Sequence, residues 1–328
     1  MNTKRPTHRL FQIFSVGLLL VASIAFSGIV TAQDKDRPPD QQGDIVTSEA
    51  DGIHTAAVRE WTIEEMENAI PYPMPTLQDT STLPGTDDSS TPDGEAGVIP
   101  GTPPQNTPGT DDATIASNEV PSYGRYPYSA VGKLFFRQYG RSYVCSASVV
   151  KNNAIWTAGH CVHEGNGRSD GWSTNVVFIP QYRNGSAPCG QWPVTNLKTT
   201  SQWRNGSDFA HDFGGGRVNA NISCTGKLGF AYNQNYGKRW TAVGYPAGSP
   251  FNGSRMIECR NQPRSLIDSG NPRPFSIRCN MTGGSSGGPY IINSNAINGN
   301  VSYGYRNRPN ELYSPYFGSA AKSFYDGL

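Results

Sequence analysis

Short apolar or alternating runs recur between turn-forming residues along the C-terminal two thirds of the chain. Such runs, a few residues long and bounded by glycine, proline or asparagine, are typical of β-strands. They fall at residues 130–136, 143–150, 154–158, 176–182, 240–245, 256–259, 274–279, 290–292 and 297–303. We therefore predict an all-β domain over residues 119–328, with one terminal helix at 318–325. About 210 residues suffice for a two-barrel or sandwich fold.

The first 32 residues have the three parts of a secretory signal peptide. Basic Lys4, Arg5 and Arg9 precede an apolar run over residues 11–26, and small residues lead to Ala32. We predict cleavage after Ala32 and export of the remaining chain to the extracellular space. An uncleaved membrane anchor is the alternative, and the short apolar core disfavours it.

Residues 33–118 differ sharply in charge from the rest of the chain. They carry 17 Asp/Glu against 3 Lys/Arg, a net charge of −14, whereas residues 119–328 carry 9 against 21, a net charge of +12. A segment this acidic and rich in proline cannot bury much core, so we expect it to be largely disordered. We interpret it as an acidic propeptide and linker that complements the basic body. A permanent disordered spacer is the alternative.

One ordered island is predicted within this acidic region. Thr62 followed by Glu65 fits a capping box, and the next apolar residues give a short helix that Pro71 stops. Residues 83–116 are predicted to be an acidic linker.

Six cysteines lie in the body and none lies before it. An even count behind a signal peptide indicates disulfides formed in an oxidising compartment. The spacing leaves the connectivity open, and we predict that neighbours pair. The predicted bonds are Cys145–Cys161, Cys189–Cys224 and Cys259–Cys279.

A glycine-rich stretch, Thr282 to Pro289, surrounds a candidate nucleophile, Ser286. Flanking glycines leave the serine hydroxyl uncrowded and let backbone N–H groups point at one spot, which suits an oxyanion hole. The stretch also matches the Gly-x-Ser-x-Gly elbow of α/β-hydrolases, in which the histidine follows the serine. Because no histidine follows His211, the base must lie upstream.

His160 is the candidate base, since Thr157-Ala158-Gly159-His160-Cys161 follows an apolar strand and adjoins a cysteine. His163 and His211 are assigned surface or structural roles. A zinc site built from His160, His163 and Glu164 is the alternative, and the absence of a helix signal disfavours it.

These two motifs together resemble those of the chymotrypsin-like (trypsin-fold) serine peptidases, and the resemblance covers the whole body. It implies two six-stranded antiparallel barrels, with His160 as base, Ser286 as nucleophile and the N–H groups of Gly284 and Ser286 as the oxyanion hole. The third member of the triad is Asp212 or Asp208. Asp212 is favoured because Arg217 and Val218 follow it at the family's spacing, although the intervening glycines depart from the pattern.

The branch that the sequence resembles most is that of the bacterial glutamyl endopeptidases. The resemblance implies substrate contacts at Thr282, Ser302, Tyr303 and Gly304. Glutamyl endopeptidases carry a histidine where this chain has Ser302, so cleavage after Glu or Asp would depend on other charges, such as Arg306 and Arg308. A pocket for neutral residues stays open, and a preference for Lys or Arg lacks its carboxylate, since Asn280 is the nearest polar residue.

The sequence thus predicts a secreted serine endopeptidase with a signal peptide (1–32), an acidic propeptide and linker (33–118) and a peptidase domain (119–328). We expect protein or peptide substrates, binding of its own propeptide and a monomeric state. No cofactor, metal, nucleic-acid partner or membrane contact after signal removal is expected. A catalytically silent binding protein with the same fold is the alternative from another functional class.

Overall fold

The computed structural model of the chain describes residues 45–49, 51, 58–78, 94–104 and 117–328. All of them belong to one compact unit, Pro38–Leu328. The predicted signal peptide and the parts of residues 83–116 on either side of 94–104 lie outside the described residues. None of the helices in the described ranges is long and apolar enough to cross a lipid bilayer.

Strands dominate the described residues. In chain order they are β1 Ile45–Thr47, β2 Ile70–Pro71, β3 Thr76–Leu77, β4 Gly97–Ile99, β5 Ser117–Glu119, β6 Val131–Gln138, β7 Arg141–Lys151, β8 Ala154–Thr157, β9 Thr174–Pro180, β10 Trp192–Thr200, β11 Gly214–Val218, β12 Gly229–Tyr232, β13 Arg239–Gly244, β14 Ile257–Ile267, β15 Phe275–Arg278, β16 Pro289–Ile292, β17 Ala296–Asn300, β18 Tyr303–Tyr305 and β19 Arg308–Ser314. The α-helices are α1 Ile63–Asn68, α2 Gly159–Val162, α3 Ser201–Gly206 and α4 Ser319–Gly327, and single 3₁₀ turns occur at Tyr128–Ala130, Ser169–Gly171 and Phe209–His211.

Six strands close into an antiparallel barrel. β6 pairs with β7, β7 with β8, β8 with β11, β11 with β10, β10 with β9, and β9 returns to β6. Closure removes the unpaired strand edges that would otherwise invite association with other chains. The first predicted barrel is confirmed.

The second half of the body is a larger β-sheet. Its strands follow the order β3-β18-β19-β15-β14-β13-β16-β17-β12-β4, with β5 added beside β14. Most pairs are antiparallel, whereas the β12–β17 and β3–β18 pairs are parallel. The all-β class, with two β bodies and a C-terminal helix, is confirmed. The pairing order of the second sheet runs from β3 to β4 and does not return to its first strand.

The acidic N-terminal region contributes more order than its composition predicts. Short strands from it add to the body: β1 pairs with β10, β2 with β7, β3 with β18, β4 with β12 and β5 with β14. The capping box is present, because Thr62 Oγ1 accepts from Glu65 N and Thr62 N donates to the Glu65 carboxylate. Trp61 and Met66, at the ends of this turn, are buried in the main hydrophobic core. The segment predicted to bury little core therefore adds to it.

The predicted disulfide pairs are also those the structure forms. Bonds join Cys145 to Cys161, Cys189 to Cys224, and Cys259 to Cys279. The first joins β7 to α2, and the third joins β14 to the residue that follows β15.

An aromatic cluster around Trp156 of β8 connects the terminal helix α4 to the barrel. The Trp156 ring contacts Phe213, Phe230, Phe317 and Phe324 at centroid distances of 4.8–5.5 Å. Phe324 lies on the buried face of α4, and helix residues four apart share a face. Burial of these rings against one another fixes the helix on the barrel.

Lys133 of β6 is a buried ionisable residue inside this structure. Its side chain packs over the rings of Phe135 and Tyr182, and its Nζ donates a hydrogen bond to Gly253 O at 2.9 Å. Burial lowers the pKa of the Lys133 amine to about 7. Near neutral pH the folded protein therefore holds this lysine close to its titration midpoint.

Replacing this lysine should change how stability depends on pH. Between pH 7 and the ordinary lysine pKa of about 10.4, the unfolded chain binds a proton that the folded chain has lost, so the free energy of unfolding rises with pH. Relative to Lys133→Met, the wild type should gain up to about 1.4 kcal/mol per pH unit in this window. Denaturant unfolding from pH 6 to pH 10 measures the difference. Lys238→Met, which removes a partly exposed lysine, is the control, and equal slopes for all three proteins would contradict the prediction.

Candidate active site

His160 is fixed by a strand end and a disulfide. β8 ends at Thr157, and α2 begins at Gly159, so His160 lies in the first turn after the strand. The next residue, Cys161, is bonded to Cys145 of β7. Thr157 Oγ1 donates to the backbone of β7 at 2.8 Å, which further restrains the turn. The imidazole is 2% exposed.

Asp212 holds His160 at two points. Its Oδ2 lies 2.8 Å from His160 Nδ1, and its Oδ1 accepts from His160 N at 2.8 Å. Ser302 Oγ, from the second half of the body, also donates to Oδ2. The carboxylate is fully buried, so these donors offset the cost of removing its charge from water. The geometry suits a carboxylate that orients a histidine and stabilises its cation.

Asp208, the competing candidate, lies elsewhere. Its side chain is 43% exposed and pairs with His211 Nδ1 at 2.8 Å. Burial opposes ionisation there, yet the hydrogen bond from His211 holds the pKa of Asp208 below its usual range. The structure brings Asp212, and not Asp208, to His160.

The glycines after Asp212 have a packing role. In β11, a Cβ on Gly215 would lie 2.4 Å from Ile155 O, and one on Gly216 would lie 2.6 Å from Val194 Cγ1. Real Cβ atoms do not approach so closely, so β11 fits between β8 and β10 because these positions lack side chains. The departure from the family pattern is thus compatible with a strand.

The loop before Ser286 is held open by a left-handed glycine. Gly284 has φ +92°, and a Cβ there would lie 2.7 Å from Tyr245 O. Ser285 closes the preceding turn through N and Oγ, both donating to Thr282 O. In the described part of the chain, the N–H groups of Gly284 and Ser286 donate to no carbonyl. This leaves both free to bind an oxyanion.

Ser286 lies beside the turn that carries His160, since Cys161 Sγ lies 3.7 Å from Ser286 O. Ser286 Oγ and His160 Nε2 are both buried, and neither has a hydrogen-bond partner among the described residues. Contacts between a nucleophile and its base are often loose when no substrate is bound. Both atoms are thus unbonded, as expected for a nucleophile and base with no substrate bound.

Two supporting residues were missed by the sequence reasoning. Ser146 of β7 donates its Oγ to Gly284 O, accepts from Tyr245 N, and donates its own N–H to Ser286 O. Asn300 donates its side-chain amide to Asp212 O at 3.1 Å. Both are polar residues inside buried strands. Because buried polar groups need hydrogen-bond partners, such positions could have been identified as candidates for supporting contacts.

The predicted substrate-binding residues differ in what they can offer. Thr282 Oγ1 bonds the backbone of Gly248, and Ser302 Oγ donates to the Asp212 carboxylate. The Tyr303 hydroxyl donates to the buried carboxylate of Asp268 at 2.7 Å. Gly304 donates its backbone N–H to Pro75 O of the N-terminal region at 3.0 Å.

A metal site does not fit these residues. The grouping of potential ligands within the described ranges is Cys145, His160 and Cys161, and the two sulfurs form a disulfide instead of thiolates. His163 Nε2 bonds Arg168 O, and Glu164 bonds Tyr139 and Asn166. The residues of the zinc alternative thus have other partners.

Comparison with known proteins identifies the family. A thermostable serine protease, AL20, from an extremophilic microorganism is 35% identical, with a TM-score of 0.55 over 61% of this chain and 96% of its own. A Glu endopeptidase structure shares the fold at 20% identity and a TM-score of 0.53, over 65% of this chain and 97% of its own. No family model matches the chain.

A further relative is the extracellular metalloprotease of Bacillus subtilis (strain 168), 28% identical over 147 residues. That match covers 44% of this chain and 42% of the relative, so less than half of the curated relative is spanned. The extent of the match to the AL20 protease, with the barrel and the buried His-Asp pair, defines the class. The chain belongs to the chymotrypsin-fold serine proteases.

Exchanging each aspartate for asparagine separates the two candidates. Asp212→Asn keeps the shape but favours the wrong histidine tautomer, so kcat on a peptide substrate should fall by about 10⁴-fold. Asp208→Asn loses only a partly exposed pair with His211, and kcat should stay within about twofold. Denaturant unfolding of both proteins checks that each variant is folded under the conditions of the kinetic assay. A larger loss in Asp208→Asn than in Asp212→Asn would reverse the assignment.

Proposed function

We propose that this protein is a secreted serine endopeptidase that hydrolyses peptide bonds through a His160-Asp212-Ser286 triad and an acyl-enzyme. The observation that carries the proposal is the buried His160–Asp212 pair on the turn that adjoins Ser286, where Cys161 Sγ lies 3.7 Å from Ser286 O, together with the two unbonded N–H groups of Gly284 and Ser286. Burial in a water-poor site strengthens each of these electrostatic interactions.

The residues divide the reaction between them. His160 Nε2 takes the proton of Ser286 Oγ as that oxygen attacks the substrate carbonyl carbon, and Asp212 stabilises the resulting imidazolium. The carbonyl oxygen becomes an oxyanion bound by the N–H groups of Gly284 and Ser286. His160 then donates the proton to the leaving amine, and water releases the acyl group by the reverse sequence.

Export and precursor synthesis form the second part of the proposal. Residues 1–32 are the signal peptide, residues 33–118 the propeptide and linker, and residues 119–328 the peptidase domain, which acts as a monomer on protein substrates. The three disulfides support an oxidising, extracellular location, and the Bacillus subtilis relative is named an extracellular protease.

The preferred residue before the cleaved bond is proposed to be neutral. Ser302 is committed to Asp212, and Asn280 is exposed. Met281, which follows Asn280, and Val301, which precedes Ser302, are buried in an apolar cluster. Arg306 is exposed beside β18 and is the cation that would support cleavage after Glu or Asp, which the net positive body also favours.

Digestion of a complex peptide library tests the serine mechanism and the proposed preference for neutral residues. Secreted protein is compared with Ser286→Ala, and every cut is located by mass spectrometry. We expect cuts after neutral residues in the active protein and a loss of about 10⁶-fold in Ser286→Ala. Cuts confined to bonds after Glu or Asp would reverse the specificity, and Arg306→Met should then lower kcat/KM for acidic peptides only. Equal activity in Ser286→Ala would overturn the serine mechanism, and no cuts at all would favour a binding protein.

A further inference from the structure

A segment of the N-terminal region, residues 70–77, passes from the first barrel to the second half beside His160 and the loop of Ser286. Its first part, β2, pairs in parallel with Tyr143 and Val144 of β7 in the first barrel. Its last part, β3, pairs in parallel with Gly304 and Tyr305 of β18 in the second half. The segment therefore bridges both walls between which a substrate would bind.

Tyr72, in the middle of this segment, covers the catalytic base. Its ring stacks on the His160 imidazole with a centroid distance of 5.8 Å and an interplanar angle of 18°. The same ring contacts Tyr143 and Phe136 of the barrel. The backbone N–H of Tyr72 donates to Val144 O at 3.0 Å. The Tyr72 ring therefore covers one face of the imidazole, which is 2% exposed.

The backbone of the segment also lies against the loop of the nucleophile. A Cβ on Gly283 would lie 2.9 Å from Tyr72 O and 3.5 Å from Met74 N. Only glycine allows so close an approach at that position. Met74 packs against the apolar cluster of the second half, which contains Met281 and Val301.

Hydrogen bonds hold residues 70–77 in place, but none of them places a peptide carbonyl of the segment on the oxyanion donors. Pro75 O accepts from Gly304 N, and Leu77 O accepts from Arg306 N. Among the described residues, no carbonyl of the segment accepts from Gly284 N or Ser286 N. The segment thus occupies the substrate edge while the oxyanion donors remain unbonded.

An anchor precedes the segment in the sequence. Trp61 is buried against Phe135 at 5.5 Å, and its backbone N and O both bond the side-chain amide of Gln191 at 2.8 Å. Glu65 of α1 forms an ion pair with Arg137 of β6 at 2.8 Å. These contacts fix α1 on the barrel and hold residues 70–77 near the cleft at a high effective concentration.

We propose that residues 70–77 are an intramolecular ligand of the substrate groove, with Tyr72 as the cap on His160 and Trp61 as the anchor. The same stretch, supplied as a separate peptide, competes with substrate for that groove. This inference rests on the proposed peptidase function, and it identifies the partner that the groove binds in the precursor.

The test measures how fast a fluorophosphonate reacts with Ser286 in the purified full-length chain. Intact mass confirms that each labelled species is unprocessed. Trp61→Ala, Tyr72→Ala and the double variant should label about tenfold faster or more, because the rate follows the fraction of molecules with an open groove. Glu64→Ala, on the exposed face of α1, should label as slowly as the wild type, and Ser286→Ala gives the background.

A second measurement guards against variants that merely misfold. A synthetic peptide of residues 58–78, added to full-length Trp61→Ala, should restore slow labelling, and a peptide with Tyr72→Ala should be at least about tenfold weaker. Equal labelling of the wild type and all variants, or no effect of the peptide, would overturn the inference alone if library cleavage is seen. Absence of both labelling and library cleavage would overturn the peptidase proposal as well.

Discussion

One buried carboxylate connects the two halves of this protein. Asp212 accepts hydrogen bonds from His160, which the first barrel positions, and from Ser302, which lies between β17 and β18 of the second half. A buried charge that lost these donors would cost several kcal/mol, on the order of the penalty for breaking a buried pair. Alignment of the halves and orientation of the base therefore depend on the same few bonds.

The parts of the site that local sequence encodes were predictable. His160 and Ser286 lie in short motifs, in which the glycines allow close packing and the cysteine forms a disulfide. The capping box of α1 is likewise encoded by four consecutive residues. The strand β10 was missed because a register shift between Thr195 and Lys198 breaks its alternation of apolar and polar positions. Ser146 acts through partners far away in the sequence, which no local pattern reveals.

The acidic charge of the N-terminal region predicts ion pairs with the basic body, and the structure contains such pairs. The charge does not predict the apolar and strand-pairing contacts of this region. Its ion pairs with the body, such as Asp51–Arg204 and Glu65–Arg137, are partly exposed and each contributes about 0–1 kcal/mol. Burial of Trp61 and the added strands provide contacts that do not weaken with salt in the same way. An average over the whole N-terminal region is dominated by its polar residues, so it does not reveal the few apolar residues that are buried.

The proposed active site is held together by hydrogen bonds between residues that are distant along the chain. Ser302 and Asp212 are 90 residues apart, and Ser146 and Gly284 are 138 residues apart. Contacts of such long range form slowly, because the chain between them must first lose its freedom. A partly folded chain therefore lacks the contacts that hold this site together, so we expect the site to form late in folding.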